Sequence, residues 1–285
     1  MSVVITGATG HLGRLVVEDL LAGGLPADQI TATGRDTAKL ADLSGRGVST
    51  ARADFEDPAS LKAAFQGADT VLLVSGSEVG KRVDQHRNAV QAAKDAGVGH
   101  IVYTSLLNAA ESTLVLAPEH KATEEIIRAS GLPHTLLRNG WYSENYEQQL
   151  QQARETGTVL TSAGAGRVAS ASRPDYAAAA AAVLRDPAAH AGAVHELSGD
   201  TAWTFDELAA AMGRVLGREV VVDNVTPEEH QAVLTGAGLD EGTARFVVGL
   251  DAGTREGELS STTGELSRLI GRPTTPLVET LGALV

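Results

Sequence analysis

Short apolar segments alternate with amphipathic segments along the first 140 residues of the chain. Strand candidates occur at Val3–Thr6, Ile30–Thr33, Ser49–Arg52, Thr70–Ser75, His100–Ser105 and His134–Arg138. Between them, apolar residues recur at helical spacing at His11–Leu21, Pro58–Phe65, Asp84–Ala96 and Glu119–Ala129. Asp36 and Thr37 favour the cap of a further short helix. Near-continuous apolar strands separated by helices indicate a parallel sheet covered on both faces, the doubly wound Rossmann arrangement of an α/β fold.

The pattern changes after Gly140. It predicts a helix at Ser143–Glu155, a strand at Val168–Ser172, an alanine-rich helix capped by Asp175 and reaching Leu184, and a strand at Ala193–Leu197. From Trp203 onward it is mostly helical, with a β run at Glu219–Val225 and smaller helices at Pro227–Leu234, Asp240–Leu250 and Thr263–Ile270. We predict a Rossmann domain of residues 1–140 with returning segments from about 165–200. Residues 141–164 and 201–285 are then expected to form a smaller α+β lobe.

The composition limits the classes of function. The chain has 285 residues, of which 43% are hydrophobic and 21% charged, as in ordinary globular proteins. It contains no cysteine, which excludes a disulfide scaffold, a thiolate zinc site and a cysteine nucleophile. The formal net charge of −13 has the wrong sign for a protein that grips nucleic-acid backbones. We therefore expect no nucleic-acid partner, while backbone dipoles and one local arginine still allow a phosphorylated ligand.

No targeting segment is evident in the sequence. The start, Met1–Gly7, lacks the basic residues and the length of a signal peptide. The longest apolar stretch, Tyr176–Leu184, has nine residues, whereas a membrane span needs roughly 18. We expect a cytoplasmic protein without membrane association.

A glycine-rich turn follows the first predicted strand. In the segment Val4–Gly13, Gly7 permits a sharp turn, Gly10 lets backbone amides approach a pyrophosphate, and Gly13 lets the following helix pack closely on the strand. The helix N-terminus adds partial positive charge. The spacing is G-x-x-G-x-x-G rather than G-x-G-x-x-G, and its position within a βαβ pattern predicts dinucleotide binding.

Arg35 indicates which dinucleotide is bound. It ends the second strand, where a site for NAD usually carries an acidic residue for the ribose hydroxyls. A guanidinium matches a 2′-phosphate that a carboxylate would repel. Arg35 as an ordinary surface charge is the alternative. NADPH is therefore the expected cofactor, with the use of NADH left open.

Common catalytic machinery is absent from the sequence. Short-chain dehydrogenases use a Tyr with a Lys four residues later, but the residues four positions after the four tyrosines are Leu107, Tyr146, Leu150 and Ala180. There is no H-E-x-x-H metal motif and no G-x-S-x-G elbow, so no metal is expected. A quinone fits better than a ketone, because the hydroquinone anion that it forms can be protonated by water. Positioning then supplies most of the catalysis.

Several motifs together resemble a known family. They are Gly7–Gly13, Ser75–Gly80, Gln85–Asn88, Tyr103–Leu107, Leu137–Tyr146, Asp175–Ala178 and Gly271–Thr275. The chain resembles, over nearly its whole length, the bacterial NADPH:quinone oxidoreductases of type 2. These are flavin-free members of the NmrA-like branch of the atypical short-chain dehydrogenases/reductases.

The resemblance implies a set of cofactor contacts. Gly7 to Leu12 hold the pyrophosphate, Arg35 the 2′-phosphate, Ser75 to Ser77 line the middle of the cofactor, and Asn139 to Ser143 flank the nicotinamide. With Gly13, the expected cofactor-binding residues are Gly7, Ala8, Thr9, Gly10, His11, Leu12, Gly13, Arg35, Ser75, Gly76, Ser77, Asn139, Gly140, Trp141, Tyr142 and Ser143. One departure from the family pattern is Gly76, where Ser is expected. Residues 1–140 are then the NADP-binding domain and the smaller lobe is the substrate lobe.

Five residues are candidates for contact with the substrate. Trp141 and Tyr142 can form a flat wall on which a quinone ring stacks, or they can be core anchors. Asn139 and Asn145 can orient a carboxamide or a quinone oxygen, or they can act as turn formers. His120, beside Lys121, stands near the place where related reductases carry a catalytic Lys; a capped, solvated turn is its alternative role.

Three further polar residues have weaker assignments. Glu124 is expected to pair with Arg128 on the helix surface. His86 and Arg87 follow the Ser75–Gly80 loop and can steer a substrate, pack in a dimer or be exposed.

The expected function is hydride transfer from NADPH to quinones without flavin. One alternative is an NmrA-like redox sensor that binds NADP with little turnover. The other is an ene or azo reductase of the same superfamily, of which the ene reductase would need a poised acid. A monomer or a homodimer is compatible with the sequence.

Overall fold

The predicted alternation of strands and helices is present in the computed structural model, which describes all residues from Met1 to Val285. The strands are β1 (Val3–Ile5), β2 (Ile30–Gly34), β3 (Ser49–Arg52), β4 (Thr70–Leu73), β5 (His100–Leu106), β6 (His134–Asn139), β7 (Thr158–Thr161), β8 (Arg167–Val168), β9 (Val194–Leu197), β10 (Trp203–Thr204) and β11 (Val221–Asn224). The helices are α1 (His11–Ala22), α2 (Ala41–Gly45), α3 (Pro58–Phe65), α4 (Arg82–Asp95), α5 (Ala117–Ser130), α6 (Glu147–Thr156), α7 (Arg173–Arg185), α8 (Phe205–Leu216), α9 (Pro227–Gly236), α10 (Glu241–Arg255), α11 (Glu265–Ile270) and α12 (Leu277–Gly282).

Seven strands form one sheet in the order β3-β2-β1-β4-β5-β6-β9. The pairs from β3 to β6 are parallel. Strand β9 is also parallel to β6, because the Leu136 amide bonds to Ala193 and the Gly140 amide to Leu197, which advances both strands in the same direction. The strand order reverses between β1 and β4. The doubly wound α/β fold is therefore confirmed, and such a reversal is where these sheets bind ligands, beyond the carboxyl ends of the strands.

The chain consists of two compact units. The first comprises Met1–Ala110, Pro118–Asn139 and Arg173–Glu196; the second comprises Glu111–Ala117, Gly140–Ser172 and Leu197–Val285. The domain limits expected from the sequence stay a prediction.

Helices cover the sheet of the first unit. Residues of α3, α4 and α5, among them Phe65, Val90 and Ile127, form one buried cluster with Val71 and Tyr103 of the sheet. The helices α1 and α7 pack on each other. Each large apolar side chain buried in this way contributes about 1.5–3 kcal/mol to the free energy of folding.

Two small sheets and most of the remaining helices belong to the second unit. Strand β7 pairs with β11 in parallel, and β8 pairs with β10 in the antiparallel sense. Helix α8 begins with a capping box in which Thr204 and Glu207 satisfy each other's backbone amides. The Asp251 carboxylate joins three elements by accepting hydrogen bonds from Thr161 and from the Ser162 amide and by contacting His230.

Some local predictions are corrected by the structure. Helix α7 begins at Arg173, so Asp175 lies inside the first turn, fully buried, and is not the cap. Pro174 is compatible with that position because the first turn needs no amide donor. The strand expected at Val168–Ser172 ends at Val168, since its partner β10 has only two residues. The helix expected from Ser143 begins as a 3₁₀ turn, Ser143–Tyr146, before α6.

No helix of the chain is both long and apolar enough to span a membrane.

Candidate active site

The glycine turn after β1 depends on close backbone packing. Gly7 adopts a positive φ of 62° and its carbonyl accepts a hydrogen bond from the Gly10 amide at 2.9 Å. A Cβ at Gly13 would lie 2.6 Å from the Gly7 carbonyl oxygen, which is too close for any side chain. The turn and the first residues of α1 therefore have the shape that glycine alone permits at these two positions.

The beginning of α1 leaves backbone amides for a ligand. The Ala8 amide donates to the Thr33 carbonyl and the Gly10 amide to Gly7, so both are used inside the protein. The amides of His11, Leu12 and Gly13 lie in the first turn of a twelve-residue helix, where helical geometry supplies no acceptor. The His11 side chain is exposed. These three amides lie at the positive end of the helix dipole, where an anion is stabilised.

The end of β2 lies directly against the glycine turn. A Cβ at Gly34 would lie 2.5 Å from Thr9 Cγ2, so this glycine is also required by packing. Arg35 follows it with its side chain 72% exposed. Its guanidinium donates to Glu78 Oε1 at 3.2 Å. Arg35, the residue predicted to bind the 2′-phosphate, is thus in contact with a carboxylate, and no local sequence pattern indicated this contact.

The loop after β4 has its backbone held at several points. The Ser75 amide donates to Thr104 Oγ1 at 2.9 Å, and the Gly76 amide donates to His86 Nε2 at 3.0 Å. Because the Gly76 amide is used by His86, it is not available to a cofactor phosphate. A Cβ at position 76 would lie 3.2 Å from Gln85 Oε1, so the glycine gives this loop a little more room than a Ser would.

His86 is a buried, neutral link between this loop and α5. Its Nε2 accepts from an amide, so the proton is on Nδ1, which donates to Thr123 Oγ1 at 2.9 Å. The Thr123 hydroxyl donates in turn to the Glu119 carbonyl at 2.8 Å. Burial, together with the nearby charge of Arg82, lowers the pKa of His86 to about 3. Of the roles considered from the sequence, none describes this one: His86 is fully buried and holds the loop.

Arg82 and Glu119 hold the same loop from the other side. Arg82 Nε donates to the Gly76 carbonyl at 2.8 Å, and its Nη1 donates to Glu119 Oε2 at 3.0 Å. The other Glu119 oxygen accepts from the Gly80 amide at 2.9 Å. The loop is therefore fixed on both sides of Glu78. No local pattern marks either residue for this role, and only the fold brings Glu119 of α5 to this loop.

His120 lies in α5 and is buried, not in a solvated turn as the alternative reading had it. Its Nδ1 is 2.8 Å from the hydroxyl of the buried Tyr103. Burial, with the charge of Arg82, lowers the pKa of His120 to about 3, and burial raises the pKa of Tyr103 above its usual range. Both groups are therefore neutral at physiological pH. Lys121 donates to the Ala110 carbonyl at 3.0 Å.

A buried ion pair stands at the carboxyl ends of β5, β6 and β9. Arg138 donates to both oxygens of Glu124, through Nε at 2.8 Å and Nη2 at 2.7 Å, and to Glu196 at 2.6 Å. Ser105 donates to Glu124 at 2.6 Å. Arg128 also pairs with Glu124, as expected, but the carboxylate is 1% exposed and so is not on the surface. This network fixes the strand end that carries Asn139, which is buried.

The residues from Gly140 onward belong to the second unit. The Ser143 amide donates to the Ala171 carbonyl and the Ala171 amide to the Trp141 carbonyl, which pairs this segment with residue 171. The Ser143 hydroxyl is 2.8 Å from Ser170 Oγ and fully buried, so neither its amide nor its hydroxyl is offered to a ligand. Trp141 and Tyr142 are half-buried.

Within the first unit, the residues predicted to bind the cofactor lie at the ends of adjacent strands. The glycine turn, Arg35 and Ser75–Ser77 follow β1, β2 and β4, which are neighbours in the sheet. No group of three or more His, Asp or Glu side chains is arranged to hold a metal ion. The fold and the glycine turn define a Rossmann-type dinucleotide-binding protein.

The chain belongs to the NmrA-like family, whose family model matches residues 1–249. It is 47% identical over 282 residues to quinone oxidoreductase 2 of Escherichia coli strain K12, covering 99% of this chain and 98% of that protein. The crystal structure of the E. coli NADPH-dependent quinone oxidoreductase complexed with NADPH superposes with a TM-score of 0.95, over 99% of both chains. Triphenylmethane reductase of Citrobacter sp., complexed with NADP(H), is 40% identical, with a TM-score of 0.94 over both full chains.

Proposed function

We propose that this protein transfers hydride from NADPH to quinones without a flavin. The observation that carries the proposal is the full-length likeness to a quinone oxidoreductase that binds NADPH, at 47% identity and a TM-score of 0.95. The family membership sets the class, and the glycine turn and the strand ends of this chain support the assignment of residues to the cofactor.

The glycine turn and Arg35 fit the phosphates of NADPH. The amides of His11, Leu12 and Gly13 would hold the pyrophosphate, since they lie at the positive end of α1. The lack of a Cβ at Gly13 lets α1 pack closely against the glycine turn. Arg35 would bind the 2′-phosphate, because its guanidinium is exposed and its only carboxylate contact is on the surface. Ser75 and Ser77 would line the middle of the cofactor, in the loop that His86, Arg82 and Glu119 hold in place.

NADPH, when bound, supplies the hydride. We assign Asn139, Gly140, Trp141 and Tyr142 to the nicotinamide and the acceptor, with Trp141 and Tyr142 as flat surfaces on which a quinone ring stacks. The buried Arg138–Glu124 pair holds the strand end before these residues. Ser143 is left out of the proposed site because it is buried and its polar atoms are engaged within the second unit.

The protein supplies no strong acid in this scheme. His120 and Tyr103 are both neutral and hydrogen-bonded to each other, so neither releases a proton readily. A quinone needs no such acid, because the hydroquinone anion spreads its charge over the ring and takes its proton from water. The protein contributes binding, orientation and the exclusion of competing reactions.

The test is a matrix of cofactors and acceptors on the purified protein, with a check for copurified flavin. Oxidation of NADPH by 1,4-benzoquinone or menadione is expected without flavin, and more slowly with NADH. Arg35→Gln should raise KM for NADPH about tenfold or more, since hydrogen bonds to charged groups contribute about 1.5–3 kcal/mol. The control Arg46→Gln, which removes an exposed arginine paired with Glu18, should leave KM unchanged. Tight NADP⁺ binding without turnover of any quinone would contradict the proposal and favour a regulator.

A second candidate function is the reduction of triphenylmethane dyes. The observation that favours it is the 40% identity to triphenylmethane reductase over the whole chain. These cationic dyes also accept hydride without prior protonation, so they belong in the same matrix. An ene reductase would need an acid, so a His120→Gln/Lys121→Ala variant should lose most of its activity under that reading and only a few-fold under ours.

We further propose that the protein acts in the cytoplasm on a small-molecule quinone, as a monomer or a homodimer. Light scattering of the purified protein measures its mass, for which the chain mass of 29.4 kDa is the reference. Cell fractionation tests the location. A membrane-bound fraction or a higher oligomer would contradict this proposal.

A further inference from the structure

An acidic side chain contacts the arginine that we assign to the 2′-phosphate. Arg35 Nη1 lies 3.2 Å from Glu78 Oε1, and the two side chains are 72% and 38% exposed. Arg35 follows β2, whereas Glu78 belongs to the loop after β4, so the contact joins the segments that follow these two strands in the first unit. A guanidinium that donates to a carboxylate has fewer donors left for a phosphate.

The backbone of the loop that carries Glu78 is fixed on both sides of this residue. Two residues before it, the Gly76 carbonyl accepts from Arg82 Nε at 2.8 Å. Two residues after it, the Gly80 amide donates to Glu119 at 2.9 Å. The backbone therefore keeps the carboxylate within reach of Arg35.

Glu78 also has a second cation beside it. Lys81 Nζ lies 3.4 Å from Glu78 Oε2 and 3.2 Å from Glu56 Oε1. The Glu78 side chain can thus give up Arg35 and keep a favourable partner. Glu56 contacts Lys81, and no contact joins it to Arg35, which makes it a natural control.

We propose that Glu78 is a specificity-determining residue, which competes with the 2′-phosphate of NADP(H) for Arg35 and so narrows the preference for NADP(H) over NAD(H). The proposal rests on the proposed function only in taking Arg35 as the ligand of the 2′-phosphate. A phosphate dianion must displace the Glu78 carboxylate from Arg35 and tolerate its negative charge nearby. NAD(H) lacks this phosphate and leaves the ion pair intact. The cost therefore falls on NADP(H) alone.

The experiment measures equilibrium binding of NADP⁺ and of NAD⁺ to the full-length protein by calorimetry, without any quinone. Glu78→Gln should tighten NADP⁺ binding about three- to fivefold, the upper part of the range that an exposed ion pair contributes. Its effect on NAD⁺ should be less than twofold. The matched control Glu56→Gln removes one negative charge from the same cluster, and it should change the ratio of the two affinities by less than twofold.

A double-mutant cycle with Arg35→Gln tests the mechanism. In the Arg35→Gln protein, the added Glu78→Gln substitution should no longer change NADP⁺ affinity. The proposal is overturned if Glu78→Gln leaves the ratio of affinities unchanged, if Glu56→Gln raises it equally, or if the effect persists without Arg35. It is also overturned if Glu78→Gln weakens NAD⁺ and leaves NADP⁺ unchanged, which would make Glu78 a ligand of the ribose hydroxyls.

Failure of the proposed function gives a different result. A protein that reduces no quinone still reports both affinities, so the Glu78 experiment remains decisive. If Arg35→Gln alone leaves NADP⁺ affinity unchanged, the assignment of the 2′-phosphate site is wrong, and the proposal for Glu78 fails with it.

Discussion

Replacing Arg138 by Met would leave a buried carboxylate without its main cation. Arg138 donates twice to Glu124, and the two side chains are 10% and 1% exposed. Removing one partner of a buried ion pair costs about 3–5 kcal/mol of folding free energy, because the remaining charge stays buried. Glu124 would keep the Ser105 hydroxyl and the half-exposed Arg128. We therefore expect a loss near the lower end of that range, about 3 kcal/mol.

Urea unfolding followed by far-ultraviolet circular dichroism measures this loss. Circular dichroism is preferred because both tryptophans, Trp141 and Trp203, belong to the second unit, and Arg138 to the first. The control is Arg46→Met, which removes an arginine that contacts both oxygens of Glu18 on the surface. Exposed pairs contribute about 0–1 kcal/mol, so this variant should remain close to the unchanged protein.

Two results would refute the reasoning. The first is an Arg138→Met protein no less stable than the Arg46→Met protein. The second concerns the double variant Arg138→Met/Glu124→Met, which removes both charges and should be more stable than Arg138→Met alone. If the double variant is the less stable of the two, the penalty does not come from an unpaired charge.

The pH dependence gives the same prediction an independent check. Burial raises the pKa of Glu124, but the hydrogen bonds from Arg138 and Ser105 and the charges of Arg138 and Arg128 outweigh it, so the pKa is lowered on balance. A carboxyl with a lowered folded-state pKa stabilises the protein above the unfolded value of about 4.3 and loses this contribution as pH falls through the folded-state pKa. The deficit of Arg138→Met should therefore shrink as pH falls below about 4. A deficit that grows on acidification would contradict this account.

Three further predictions concern the loops and the buried histidines. Gly13→Ala should weaken NADP⁺ binding at least about tenfold in calorimetry, because the added Cβ would lie 2.6 Å from the Gly7 carbonyl oxygen. The control Gly45→Ala, at a position with open space, should bind NADP⁺ normally. Equal affinities of the two variants would contradict the packing argument. His86→Phe should cost about 2 kcal/mol in urea unfolding, since it leaves the Gly76 amide without its acceptor; an unchanged midpoint would show that the loop does not need this bond. Lowering pH from 7 to 5 should destabilise the protein by about 2 kcal/mol for each of His86 and His120, because burial lowers their pKa values to about 3 in the folded protein. Below about pH 6.5 these histidines are protonated in the unfolded chain but stay neutral in the folded protein. Their contribution to stability is therefore complete above about pH 6.5 and declines as pH falls toward 3. The His86→Phe protein should show a smaller loss over this range, and an equal loss would contradict the assignment.

The order of elements was accessible from local pattern. Each of the first six strands was predicted within two residues of its observed ends, because the change between strand-type and helix-type patterns marks where each element begins and ends. Helix α7 shows where local reasoning stops. Asp175 has the chemistry of a cap, and only the chain path through Arg173 and Pro174 places it inside the first turn. The two-residue strand β8 was overestimated for a similar reason: a strand ends where its partner ends.

The candidate site divides in the same way. Gly7, Gly13 and Arg35 were found from spacing, because a glycine turn and the residue after the second strand have local signatures. The cofactor assignment of these residues stays a prediction. The role of His86 could not be found in this way, since its partners Gly76 and Thr123 are joined to it only by the packing of a loop and two helices.

The sequence by itself determined the α/β alternation, the sharp turn after β1 and the glycine positions in that turn, because these depend on periodicity and on the conformational range of glycine. The tertiary structure alone decided that Glu124 is buried against Arg138, that His86 and His120 are neutral, and that Glu78 contacts Arg35. The physical reason is that the charge state and partners of a polar side chain depend on water exclusion and on neighbours that are distant along the chain, and no local pattern records either.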